Sequence, residues 1–210
     1  MTKDKISIAR RIDRYHHGDL RTALKSAALD LVASKGPKGF TLKEAAQRAR
    51  VSVAAPYHHF KNREALLAEI AQEGFAQLAA ELELAAARST TNSRRRLEAI
   101  GCAYVDFAVK NSSRFRVMFA SEIKKQRYPT LLQSSKAAFA TVIRALQDHF
   151  GEPSSKRGET IVLDVATMCW SLCHGVAMLF VDELYAEIGL HPSCDELVTA
   201  AIRALLKGYS

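Results

Sequence analysis

The stretch from Thr41 to Phe60, TLKEAAQRARVSVAAPYHHF, constrains this chain more than any other. Thr41 followed three residues later by Glu44 is a capping box, in which each side chain satisfies the other residue's main-chain N–H. Leu42, Ala45, Ala46 and Ala49 then recur at helical spacing and give a narrow apolar face. Arg50-Val51 reads as a turn, and Ser52 as the cap of a second short helix. That helix carries Tyr57, His58 and His59 near its end, with Phe60 as an apolar plug. Two short helices at a sharp turn bury little surface between themselves. The arrangement suits a helix-turn-helix that lays its second helix in the major groove of DNA while the first crosses the backbone.

Charge falls where such a reading needs it. Residues 1–65 hold 14 Lys/Arg against 6 Asp/Glu, whereas residues 66–210 hold 16 of each, so the whole net charge of +8 lies in the segment with the motif. A cation excess of this kind neutralises phosphates. Five prolines, ten glycines and abundant Ala and Leu favour an all-α chain with no strands. The 210 residues suffice for a head over 1–65 and a larger helical domain over 66–210. No transmembrane helix and no apolar signal core are expected, which points to a cytoplasmic protein without a membrane partner. Cys102, Cys169, Cys173 and Cys194 are then expected to be reduced apolar fillers.

Along the chain, residues 1 to about 17 are polar and basic, with Arg10, Arg11 and Arg14. Two readings stand: a frayed tail, or an arm that reaches the DNA backbone or minor groove. A first helix is expected over about 19–35, stopped at Gly36-Pro37. Asn62 caps the next, to about Ala87, which links head to body. STTNS, at 89–93, is a short polar break. Further helices follow over about 94–109, around 115–119, over 130–150 and over 159–187. The last of these is apolar on most faces. Ser193 with Glu196 opens the final helix as a second capping box.

With the LysAsnArgGluAlaLeuLeu run that follows it, the Thr41–Phe60 stretch resembles the DNA-binding end of the TetR family of bacterial transcription regulators. The matching residues are Thr41, Ala45, Ala46, Val51, Ser52, Tyr57, His59, Phe60, Lys61, Glu64 and Leu66. Trp170, His174 and Gly175 reproduce a Trp-x-x-x-His-Gly signature of one branch of the family, and Tyr15–Arg21 resembles that branch's entry to helix 1. Two positions depart from the pattern. Arg50 stands where the family usually has Gly, so either a left-handed residue is tolerated or the turn differs. Pro56 falls inside the recognition helix, harmless in its first turn and kinking beyond it.

The resemblance implies a homodimer that reads a pseudo-palindromic double-stranded DNA operator and pairs through its last two helices. It also implies a small-molecule effector that shifts the heads and weakens DNA binding, most simply as a repressor. The alternative is a ligand-independent regulator or activator whose second domain only dimerises. The residues implied at the DNA are Thr41, Arg50, Ser52, Val53, Ala54, Ala55, Tyr57, His58, His59 and Lys61. Tyr57, Thr41 and Lys61 would donate to phosphates, and base readout would lean on His58, on Arg50 or on the N-terminal arm. Val53, Ala54 and Ala55 are too short for bidentate bonds and would read shape and thymine methyls. His59 equally suits packing within the head.

Candidates to line an effector pocket are Tyr104, Phe107, Met118, Phe119, Phe139, Trp170, His174 and Met178, each of which equally suits the core. The scarcity of charges that look buried favours an apolar or aromatic effector. Cys169, Cys173 and His174 invite a soft-metal, redox or Cys-His catalytic reading. At helical spacing His174 points about 100° away from the two sulfurs, and no orienting acid follows. No metal, cofactor or catalytic residue is therefore expected.

Overall fold

The computed structural model describes residues 20–88 and 92–209. The basic arm, and all but the last two residues of the STTNS break, lie outside the described residues. Those described form helices α1 (20–35), α2 (Leu42–Arg48), α3 (Arg63–Arg88), α4 (Ser93–Lys110), α5 (Ser112–Met118), α6 (Pro129–Phe150), α7 (Lys156–Val181), α8 (Leu184–Glu187) and α9 (Cys194–Lys207). Two short 3-10 turns, Ala55–His58 and Lys125–Arg127, complete them, and there is no strand among the described residues.

The head is α1, α2, the first 3-10 turn and the start of α3. Leu24, Ala28, Val32, Phe40, Leu42, Ala45, Phe60, Leu66 and Leu67 pack into one apolar centre. The Thr41–Glu44 capping box forms as the sequence predicts, with Thr41 N–H donating to Glu44 Oε2 at 2.8 Å. Gly36 ends α1 at φ +72°, a conformation that suits a residue with no Cβ. Three carbonyls of the α1–α2 loop converge on one guanidinium nitrogen. Arg63, at the start of α3, donates to all three: Lys38 O at 2.7 Å, Phe40 O at 3.1 Å and Pro37 O at 3.2 Å. Across the α1–α3 contact, Arg21 and Lys25 pair with Glu69 and Glu73.

Helix α3 is the beam between head and body. Its N-terminal half belongs to the head core, and Phe75, Leu78 and Leu82 enter the body core with residues of α4, α5, α6 and α7. Gly74 permits a close approach of α5, since a Cβ there would stand 2.6 Å from Met118 Sδ.

The helix expected over 159–187 is two elements. α7 stops at Val181, Glu183 turns the chain at φ +56°, and α8 starts afresh. Arg116 of α5 caps this end by donating to Val181 O at 2.9 Å and Asp182 Oδ1 at 2.8 Å. α7 has the length and apolar composition of a membrane span, yet Val165, Ala166 and Ala177 are wholly buried in this body, as a core helix requires.

Candidate nucleic-acid interface and ligand cavity

The second limb of the helix-turn-helix is not the α-helix the sequence predicts. It is a four-residue 3-10 turn, Ala55–His58, held by Ala55 N–H to Ser52 O at 3.0 Å and Tyr57 N–H to Ala54 O at 3.2 Å. Pro56 is the cause: with no N–H it cannot make the i→i−4 bond to Ser52, so the coil tightens. Ser52 consequently caps nothing here; the residue before the turn is Ala54, which makes no side-chain cap bond. The preceding corner is left-handed, with Arg50 at φ +57°. Of the two possibilities raised by an arginine at a glycine position, the chain adopts the strained one.

Thr41, Arg50, Ser52, Val53, Ala54, Tyr57, His58 and Lys61 are all exposed, and Tyr57 stands out at 59% exposure. Ala55 and His59 are half-buried, and the His59 ring lies 6.4 Å from that of Phe60. Thr41 Oγ1 already donates to Glu44 Oε2 at 2.9 Å, so a phosphate would have to displace that carboxylate. The Lys35 ammonium, aided by the Thr41 N–H and hydroxyl, holds the Glu44 carboxyl down at about 2.

The body encloses a cavity of about 360 Å³ between α3, α4, α6 and α7. Leu78, Leu82, Leu97, Ile100, Ala138, Val142 and Ile202 form much of its wall. Of the eight pocket candidates, Tyr104, Phe119, Phe139 and Trp170 line it. Phe107 and Met118 do not: both are fully buried filler of the core, and Met178 is likewise packed against that core. His174 sits one layer back. The Trp170 indole N–H donates to Tyr104 Oη at 3.3 Å, and Tyr104 Oη lies 2.9 Å from His174 Nδ1. Indole has only a donor, so the Tyr104 oxygen accepts from Trp170 while it also pairs with the His174 imidazole. Burial, with the Lys125 ammonium adding to it, pushes the His174 pKa below its ordinary value, and burial raises that of Tyr104.

Two lysines, Lys125 and Lys136, also stand on the cavity wall. This corrects the expectation of a cavity without charge. The sequence signal was present in a lysine flanked by Ile123 and Tyr128 just after Phe119, but the connection carries no helical period to flag it.

Cys169 and Cys173 line the cavity as neutral thiols, pushed up by burial to about 11 and about 12. No three His, Cys, Asp or Glu side chains come together as metal ligands among the described residues. On its outer side α7 leaves Leu163, Met168 and Leu179 exposed, and near them Gly175, where a Cβ would meet nothing within 4 Å. Tyr209 bonds Met168 Sδ at 3.5 Å and carries this apolar face to the end of α9.

Comparison with known proteins fits both halves. The family model described as "Bacterial regulatory proteins, tetR family" matches residues 24–70, and "Tetracyclin repressor-like, C-terminal domain" matches residues 97–205. The HTH-type transcriptional activator FasR of Mycolicibacterium smegmatis (strain ATCC 700084 / mc(2)155) is 30% identical over 113 residues, 54% of this chain and 51% of that protein. The chain thus spans about half the length of this relative. Among solved structures, a Rhodococcus sp. RHA1 protein of unknown function is 28% identical, with 92% of this chain and 97% of that one covered at a TM-score of 0.73. The TetR family transcriptional regulator PfmR from Thermus thermophilus shares the fold at 20% identity and a TM-score of 0.67, over 90% of this chain and 98% of its own. With family models matched over both the head and the larger helical body, the chain belongs to the tetR family of bacterial transcription regulators.

Proposed function

We propose that the chain is a ligand-responsive repressor that works in the cytoplasm as a homodimer on a pseudo-palindromic operator. The observation that carries this reading is the cavity bordering α3, the same helix whose first turns belong to the head. Phe75, Leu78 and Leu82 reach the cavity from α3, so an occupant that bears on them bears on the beam that holds the DNA-reading turn. An effector acts only through a difference in affinity between DNA-competent and DNA-incompetent arrangements, and that difference bounds the response.

The exposed face of α7 and α9 supports pairing with a second copy, and a two-fold pair presents two 3-10 turns to two half-sites. Thr41, Arg50, Tyr57, His58 and Lys61 are the proposed phosphate and base contacts, with Ser52, Val53, Ala54, Ala55 and His59 shaping the reading surface. A second reading, activation, is favoured by one observation: the FasR relative is named an activator.

A titration against DNA flanking the chain's own gene, repeated across salt concentrations, tests the DNA half. Two or more chains per site, sequence selectivity and a steep salt slope are expected. Weak, sequence-indifferent binding would overturn it. A reporter driven from the same site then separates repression from activation.

A further inference from the structure

We propose that the cavity takes an organic anion, a carboxylate on an apolar body, with the head group paired to Lys125. This rests on the reading of the cavity as the effector site and names the chemistry of what enters it.

The polar groups on the wall make the case. Ser135 Oγ donates to Leu132 O at 2.8 Å, and Thr167 Oγ1 donates to Leu163 O at 2.8 Å. The Tyr104 oxygen accepts from Trp170 and pairs with His174 Nδ1. Each of these side chains is therefore already paired within the protein. Lys125 is not. Its Nζ stands over two aromatic rings, 4.5 Å from the Phe75 centroid and 5.2 Å from that of Phe119, and it forms no ion pair among the described residues. Burial alone pushes its pKa down, with no carboxylate close enough to oppose the shift.

A half-buried ammonium against an apolar wall, without an anion, gives up part of its hydration, and two ring faces offset only part of that cost. A ligand carboxylate supplies the missing partner at charge-assisted strength. A cationic ligand would be repelled by Lys125 and by the exposed Lys136 at the rim. A neutral one would desolvate the ammonium further without pairing it. One inner cation matches one negative charge, and the Phe139, Trp170, Leu78 and Ile100 surfaces match an apolar body. At about 360 Å³ the space lies at the small end of ligand sites, which run from about 300 to 1,000 Å³.

Trp170 is the only tryptophan in the chain and lines the cavity, so its fluorescence reports occupancy. Wild type would be titrated with decanoate and with decan-1-ol, which share an apolar body and differ in charge. Decanoate is expected to bind about tenfold tighter or more. Lys125→Met should remove that preference by weakening decanoate alone, and Lys125→Arg should keep it. Equal affinity of both probes in wild type, or a preference that survives Lys125→Met, overturns the anion proposal and leaves the effector cavity standing. If neither probe changes Trp170 emission or operator affinity, the cavity reading falls with it.

Discussion

The main-chain N–H of Lys124 donates to Glu64 Oε1 at 3.2 Å, which ties the residue next to the cavity's lysine to the first turn of α3. Arg127 reinforces the tie, 3.8 Å from Glu64 Oε2. The Lys125–Arg127 turn is thus gripped from the cavity side by Phe75 and Phe119, and from the head side by Glu64. Glu64→Ala removes both acceptor oxygens and should cost about 1 kcal/mol, the worth of a partly exposed hydrogen bond and ion pair. Operator affinity without ligand should hold, while the loss of affinity on adding decanoate should shrink about threefold or more, within the usual range of coupling. Operator titrations with and without decanoate check this. A full response in the variant would mean the signal travels along α3 itself, past Gly74 and Met118.

Arg50 holds a left-handed conformation that costs a side-chain-bearing residue about 1–2 kcal/mol. Arg50→Gly should therefore raise stability by about 0.5–1 kcal/mol after glycine's own entropy is counted. If the arginine touches a phosphate, the same change should lower the salt slope of operator binding by about one. Urea unfolding and a salt series give the two readouts independently.

Tyr104→Phe removes the hydroxyl between Trp170 and His174 and should cost about 1 kcal/mol, because both part-buried ring nitrogens lose a partner. Chemical denaturation measures the loss, and a shift in Trp170 emission should accompany it.

His174 predicts a pH dependence. Its pKa in the fold is lowered from an ordinary 6.5, so the unfolded chain takes up the proton first as pH falls. The contribution is fully present above about pH 6.5 and is lost as pH drops through the lower folded value. Melting temperature should fall over that interval, and His174→Gln should flatten this part of the profile. A variant that keeps the wild-type slope would assign the effect elsewhere.

Gly175 discriminates between a lone chain and a pair. In one protomer a Cβ there meets nothing, so Gly175→Ala should gain about 1 kcal/mol of helix propensity. Where a partner helix lies close across the same face, the methyl group should instead weaken the dimer. Sedimentation equilibrium is expected to show weaker association in the variant. Unchanged association would put Gly175 outside the interface.

The helices are legible in the sequence because their signals are local. The Thr41–Glu44 box and Asn62 Oδ1 accepting the Ala65 N–H at 2.9 Å stand where the sequence puts them, whereas of the expected second box only the Ser193 Oγ bond from the Glu196 N–H, at 3.4 Å, is formed. The 3-10 turn is not legible, because one missing N–H, at Pro56, outweighs the helical pattern around it. The end of α7 is hidden because Arg116, 65 residues earlier in the chain, supplies the cap. Lys125 escapes notice for a related reason. A cavity wall is assembled from several helices and a connection, and only the helices carry a period. Phe107 and Trp170 are both aromatic residues on amphipathic helices, and nothing in the sequence says that one fills space while the other borders it.

Helix α7 faces two ways. Cys169, Cys173 and Trp170 look onto the cavity, while Leu163, Met168 and Leu179 look out from the protomer. Only one helix, about 10 Å thick, separates the two sides. In a pair joined on the outer face, the α7 of each chain would stand between the two chambers, back to back. If occupancy moves α7, the twin sites should answer to effector concentration together, with a steeper dose–response curve than isolated chambers would give.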